Sequence, residues 1–205
     1  MKTIVYLAHP RLDRSEICGP LFSLAQTISG ITCVDLYAEY PTFNIDVLRE
    51  KKRLGDHDAI VFLHPLFWYS APSIVREWQD LVLQYGFAFG QSGHSLDDKV
   101  IFNAVSCGAS CEAYTPSGAN GAHLRTFLMP FEKTADLCRM RFLAPFAIFA
   151  AGKAVKEGRD KEHLANWKSL LEGLRDDTLD LKRAQKALTL NKLAAKQAAC
   201  VQESG

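Results

Sequence analysis

An excess of either charge is the first thing this sequence lacks. Its 24 Lys and Arg side chains stand against 23 Asp and Glu, a formal charge of +1 over 205 residues. No broad field is available to hold nucleic acid or an anionic membrane, and any anion has to be bound locally. Long hydrophobic runs are missing too. The opening stretch Met1–Leu7 carries one lysine, stops at His9-Pro10 and is too short for a signal-peptide core, and no later run reaches membrane-spanning length. A cytoplasmic protein is expected. Cysteines occur at 18, 33, 107, 111, 138 and 200 with no C-x-x-C spacing. Reduced thiols are the natural reading, and the nearest pair, Cys107 and Cys111, has no second ligand pair to make a metal site. No internal repeat or low-complexity segment is present.

What is there is an alternation. Short runs rich in Val, Ile, Phe and Ala at Thr3–Leu7, Ile31–Leu36, Ala59–His64, Val100–Val105 and Phe142–Ala150 read as buried strands. Between them Glu16–Ile28, Asp46–Leu54, Ser73–Tyr85, Ala122–Leu137 and Asp160–Leu174 have helical period. Strands apolar on both faces and alternating with helices imply an α/β domain, a parallel sheet covered on both sides with right-handed crossovers. Five such units suit the five-stranded doubly wound order better than the six-stranded dinucleotide-binding one. Residues 1–175 form this domain and 176–205 an extension. The extension contains no Gly or Pro from Asp176 to Ser204, and Leu174, Leu181, Leu188 and Ala195 recur every seven residues, so it is expected to be a long basic helix. It either packs on the domain or serves as an arm for a partner.

In doubly wound sheets ligands bind at the carboxyl ends of the strands, and three of the loops there are unusual. After the first strand comes Ala8-His9-Pro10-Arg11-Leu12-Asp13-Arg14-Ser15, with Ser15 a candidate helix cap. A helix start at this place offers unpaired N–H groups and a positive dipole end to a phosphate. His9, Arg11, Arg14 and Ser15 either add donors or are solvated. Pro20 lies inside the first turns and suits a helix that starts later than Ser15. After the third strand, His64-Pro65-Leu66-Phe67-Trp68-Tyr69-Ser70-Ala71-Pro72 puts bulky apolar side chains on a connection fenced by prolines. They either plug the core or form a wall for a flat ligand. After the fourth strand, Ser106-Cys107-Gly108-Ala109-Ser110 are small residues that let a ligand approach backbone N–H groups. A phosphate site, an aromatic wall and a rim of donors together fit a flavin mononucleotide better than a sugar phosphate, which has no ring to stack.

The same residues carry a family resemblance. His64-Pro65-Leu66-Phe67-Trp68-Tyr69-Ser70 (H-P-x-x-W-Y-S), Leu36-Tyr37-Ala38-Glu39-Tyr40-Pro41-Thr42-Phe43-Asn44-Ile45-Asp46, Ala8-His9-Pro10 with Ser15, Glu77-Trp78-Gln79-Asp80, the segment Tyr85–Gly90 and Leu143-Ala144-Pro145-Phe146 resemble the flavodoxin-like NAD(P)H:quinone oxidoreductases, and among them the KefF-type ancillary flavoproteins of glutathione-gated potassium efflux systems. The resemblance runs from about residue 3 to 175 and leaves out the tail. It implies that His9, Ser15 and Cys18 surround a flavin phosphate. Pro65, Leu66, Phe67, Trp68 and Tyr69 would line the ring, and Ser106, Cys107, Gly108 and Ala109 would meet its pyrimidine edge. The cofactor implied is FMN, with FAD as the alternative, and NAD(P)H would deliver hydride that passes to a quinone-like acceptor. Tyr114 matches the family's site tyrosine and is the candidate catalytic residue, as a hydrogen-bond donor to substrate. Cys18 stands where asparagine is usual, Cys107 and Ala109 depart from a T-T-G-G turn, and Asn120 takes the place of a histidine. The resemblance also implies a homodimer, for which Trp78, Phe87 and Phe89 would be contact aromatics unless they are core. The alternative function is that of a regulatory subunit docked on a membrane transporter, held at the inner face of the membrane through that partner. A one-electron carrier is disfavoured because such carriers are strongly acidic.

Overall fold

The structure, a computed structural model, describes residues 1–194. In chain order the elements are β1 (Thr3–Leu7), a 3-10 turn (Leu12–Arg14), α1 (Cys18–Gln26), β2 (Ile31–Asp35), α2 (Leu36–Glu39), α3 (Val47–Asp56), β3 (Ala59–Pro65), α4 (Ser73–Val82) and β4 (Val100–Ser106). A second 3-10 turn (Cys111–Tyr114) follows, then α5 (Leu124–Phe127), α6 (Met129–Leu137), β5 (Arg141–Phe142), β6 (Phe146–Ile148), α7 (Ala151–Ala154), α8 (Arg159–Arg175) and α9 (Leu181–Lys186).

All strands pair in parallel, in the order β2-β1-β3-β4-β5, with β6 prolonging the outer position beside β4. Successive side chains point to opposite faces of a sheet. Ile4, Tyr6, Ile60, Phe62 and Ile101 thus pack under α3, α4 and α6, and Val5, Leu7, Val61, Leu63 and Phe102 under α1 and α8. Register sets the functional end. Pro65 lies opposite Ser106 and Leu7 opposite Leu63, so the loops after β1, β3 and β4 leave the sheet at one level.

Several expected boundaries move for local reasons. β2 stops at Asp35 because that side chain caps α2, accepting from Tyr37 N at 3.0 Å and Ala38 N at 3.2 Å. The helix expected over 122–137 is two pieces, α5 and α6, with Pro130 in the first turn of the second, where a missing N–H costs nothing. Trp78 is 1% exposed and donates to the buried Glu50 carboxylate at 3.0 Å, so among the suggested dimer aromatics it is core. Phe87 lies under the Lys51 ammonium, 5.0 Å from ring centre to Nζ.

The fifth strand departs most from expectation. A single strand over 142–150 was expected; β5 and β6 are separated by Leu143-Ala144-Pro145, whose outward backbone is taken by the C-terminal extension. Ala144 N donates to Ala184 O at 3.0 Å, and Leu190 N to Pro145 O at 2.9 Å. The Asn191 amide then acts as a piece of strand, accepting from Ala147 N at 3.0 Å and donating to Ala147 O at 2.6 Å. An unpaired sheet edge is a liability, and this one is closed by its own chain.

The long-helix reading of the extension is therefore corrected. It is helical in short pieces: Asp177 has φ +56°, Asp180 caps α9 through Arg183 N at 3.0 Å, and Arg125 clamps the end of α9 through the carbonyls of Gln185 and Ala187. Leu179, Ala184, Leu190 and Ala194 are buried in the α1–α8 core, whereas Leu188 of the heptad is exposed. Ala195, Cys200 and the remainder of the expected helix lie outside the described residues. Among the described residues no helix is long and apolar enough to cross a membrane, and no group of side chains could hold a metal.

Candidate functional site

The loop after β1 makes the first wall of a crevice. α1 does not start at Ser15 or Glu16 but at Cys18, after the 3-10 turn, and the Ser15 hydroxyl reaches forward to accept from Gly19 N at 3.1 Å. Pro20 thus falls at the third helical position, where it removes a donor that has no partner anyway. Among the described residues the N–H groups of Glu16, Ile17 and Cys18 reach no protein acceptor. Glu16 and Ile17 border a cavity of about 440 Å³ lined also by His9, Arg14, Ser15, Leu66, Phe67 and Ser106; Cys18 does not line it. The ring of His9 stands edge-on to Phe67 at 6.1 Å, and its Nδ1 accepts from Arg11 N at 3.2 Å. Burial lowers its pKa below the ordinary histidine value. Arg11 is committed to Asp13 at 3.0 and 2.8 Å, while the Arg14 guanidinium has no partner among the described residues.

The loop after β3 decides between the two readings of its aromatics. Ser70 N closes a tight turn on Phe67 O at 2.9 Å, and both central residues are left-handed, with φ +50° at Trp68 and +62° at Tyr69. This conformation costs bulky L-residues on the order of 1–2 kcal/mol each. No core burial repays it at Trp68, whose side chain is 95% exposed, and Tyr69 and Phe67 are 53% and 45% exposed. The aromatics are displayed. Tyr69 is braced by stacking on Phe127 at 5.3 Å.

The loop after β4 is narrower in function than expected. Cys107 N donates to Ile148 O at 2.8 Å, and the Cys107 and Ala109 carbonyls accept from Ala151 N and Ala150 N at 2.9 and 2.8 Å. The N–H groups of Gly108 and Ala109 have no acceptor among the described residues. Cys107 leaves the donor set because strand pairing with β6 uses its N–H, and its side chain is fully buried. Cys18 is corrected likewise: its thiol is fully buried 3.6 Å from Ser106 Oγ, and desolvation pushes its pKa up to about 11. Neither its thiol nor its backbone lines the cavity. At Gly108 φ is not positive and an added Cβ would meet nothing within 4 Å. The protein itself has no need of glycine there.

A second lobe of about 260 Å³ is lined by Leu66, Trp68, Tyr69, Gly108, Ala109, Tyr114 and Asn120, and shares Leu66 and Gly108 with the first. Tyr114 is only 7% exposed, edge-on to Phe127 at 5.8 Å. Burial, then the neighbouring Cys107 thiol, pushes its pKa up to about 12, so the phenol keeps its proton at neutral pH. Asn120 Nδ2 is buried without a partner among the described residues.

Below the crevice lies a pair that sequence reasoning passed over. His64, fully buried, takes the Asn103 amide at Nε2 (3.0 Å) and donates from Nδ1 to Pro65 O (3.0 Å). Desolvation lowers its pKa to about 4, so it is neutral and holds the end of β3 in place. The only signal for it was a polar residue in each of two apolar strands. Ala151 and Gly152, after β6, were also missed and complete the first lobe; the small-residue run Ala150-Ala151-Gly152 was their signature.

His9, Ser15, Pro65, Leu66, Phe67, Ser106 and Gly108 thus converge on the first lobe, and Trp68, Tyr69, Ala109 and Tyr114 on the second. One end presents anion donors, the middle a displayed aromatic face, the far end two free N–H groups. A family model described as having a flavodoxin-like fold matches residues 1–171. The glutathione-regulated potassium-efflux system ancillary protein KefG of Enterobacter sp. is 39% identical over 150 residues, covering 73% of this chain and 82% of the relative. A general stress protein 14 of Treponema denticola, solved in complex with FMN, superposes with TM-score 0.79 at 33% identity over 85% of this chain and 99% of its own. An NADPH-quinone reductase of P. pentosaceus superposes with TM-score 0.74 at 27% identity, covering 83% of this chain and 97% of that one. The chain belongs to the flavodoxin-like family.

Proposed function

We propose that the chain is an oxidoreductase that binds FMN without a covalent bond and uses NAD(P)H to reduce a quinone-like acceptor. The observation that carries this is the pairing, in one crevice, of the strained and displayed Trp68-Tyr69 turn with the unpaired N–H groups of Gly108 and Ala109. Strain of that kind is retained where a site requires it. The residues fit the cofactor: the free N–H groups of Glu16 and Ile17 and the side chains of Ser15 and Arg14 suit a phosphate, Leu66 to Tyr69 a planar ring, and Gly108 and Ala109 the ring's polar edge.

FMN bound there would supply two-electron hydride chemistry. The work of the chain is positioning and charge. The Gly108 and Ala109 donors stabilise negative charge at the ring edge. The aromatic turn excludes water from the face on which substrates stack. Tyr114 keeps its phenolic proton and offers it as a hydrogen-bond donor to substrate; it does not act as a base. His9, with lowered pKa, is neutral when the anion site is empty.

Purified full-length protein is expected to be yellow, with a flavin spectrum that bleaches anaerobically on addition of NADPH and returns on addition of a quinone. Protein that stays colourless when FMN is supplied would remove the proposal. The likeness to KefG favours a second reading, in which the chain is an ancillary subunit of a potassium-efflux transporter whose redox activity is incidental. Retention of the chain on membranes containing that transporter, with slow quinone turnover, would favour this reading; fast turnover without a partner would favour the enzyme. A homodimer is proposed for either reading, and sedimentation measures it.

A further inference from the structure

Next to the second lobe is a larger cavity that the matched family region alone does not build. It measures about 570 Å³ and shares Tyr114 with the crevice. Leu124, Phe149, Leu188 and Leu193 provide apolar wall, and Arg183, Lys186 and Lys192 provide three cations. All of Arg183–Leu193 lies beyond residue 171, where the family match ends. No acidic side chain among the described residues lines the cavity. The side chains of the three cations make no hydrogen bond or ion pair with any described residue. In a chain of formal charge +1, three unpaired cations around one partly apolar cavity are a local feature and not a reflection of composition.

We infer that this cavity binds an amphipathic anion, a flat apolar body bearing a carboxylate or sulfonate, and thereby selects negatively charged acceptors for the crevice behind Tyr114. The inference rests on the proposed function for its acceptor role; the binding itself does not. The apolar wall takes the body of the ligand, and the three exposed cations around it meet its charge. The crevice needs no such charge to bind a neutral quinone, so the two classes of acceptor should separate.

The test compares 1,4-naphthoquinone-2-sulfonate with neutral 1,4-naphthoquinone, using the full chain and the variant Arg183→Gln/Lys186→Gln/Lys192→Gln. The three side chains are exposed and unpartnered, and the variant is expected to unfold at the same temperature as the parent. KM for the sulfonate should rise about tenfold, the effect of losing three partly screened charges, with kcat and the KM values for neutral quinone and NADPH unchanged. The single Lys192→Gln should give a smaller rise in the same direction. Equal changes for both quinones, or none, overturn the inference. A rise confined to NADPH overturns it too and makes the cations a site for that cofactor's phosphate. If no acceptor is reduced, the flavin reading has failed, and calorimetric titration of the sulfonate into the same two proteins still decides the cavity: weaker binding to the variant supports it, equal binding sinks it.

Discussion

Two ends of the same sheet treat their backbone in opposite ways. At the edge formed by β5 and β6 the groups freed by a broken strand are met by the chain's own tail, down to the Asn191 amide that pairs with both polar atoms of Ala147. At the crest above β1, β3 and β4, four backbone N–H groups, those of residues 16, 17, 108 and 109, reach no protein acceptor among the described residues, and two bulky aromatics stand in a conformation they resist. Proteins pair buried polar groups wherever they can. Open donors and strain gathered at one crest are what the proposed cofactor would answer. Directly beneath the crest the floor is buried: His64 takes the Asn103 amide at Nε2, although Asn103 Oδ1 finds no partner among the described residues.

The largest effect that would sharpen this contrast concerns the buried histidines. His64 and His163 both have pKa values lowered to about 4 by desolvation. Above the unfolded-chain value of 6.5 both states are neutral and the stability is complete. Below it the unfolded chain takes up protons that the folded chain refuses until pH approaches about 4, so stability falls through that window. Urea unfolding followed from pH 7 to 4.5 should show a loss of several kcal/mol; a flat profile would mean that neither His64 in the floor nor His163 of α8, stacked on Phe146, is sealed from water. Next, Gly108→Val should weaken FMN binding about a hundredfold, read by flavin fluorescence, because the new side chain projects into the crevice. Its cost in stability should be small, since nothing of the protein lies within 4 Å of that Cβ. A variant that unfolds but still binds would reverse the assignment of crest and core.

At the edge, Asn191→Ala leaves both polar groups of Ala147 without partners and should cost about 1–3 kcal/mol in chemical denaturation, with flavin affinity unaltered. The smallest effect is the most diagnostic. Trp68→Gly removes a left-handed aromatic that is 95% exposed, and should raise stability by about 1 kcal/mol while lowering flavin affinity. If both stability and binding fall, Trp68 is structural and the display of aromatics has another cause.

Much of this was legible beforehand. Val, Ile and Phe runs with both faces apolar marked the parallel strands because burial on two sides leaves no polar positions. The crevice loops were legible because their composition was wrong for loops: aromatics fenced by Pro65 and Pro72, and small residues after Val105. Three things were not legible. Whether Cys107 could donate depended on the register of β6, a strand forty residues away in sequence from the turn it uses. The start of α1 depended on a 3-10 turn that no periodicity announces. The extension read as one helix because propensity and a heptad agreed, and was overruled by pairing at Ala144 and Pro145 and by burial of Leu190 in place of Leu188.

By itself, then, the sequence determined the class of sheet, the crest as the place of the candidate site and the kinds of group gathered there, since these follow from local apolar pattern and loop chemistry. Only the tertiary structure decided which donors stay open, which thiols sink into the floor, and where the tail goes. Those outcomes turn on which backbone atoms meet across the sheet, and a hydrogen bond made by one residue is a donor denied to its ligand.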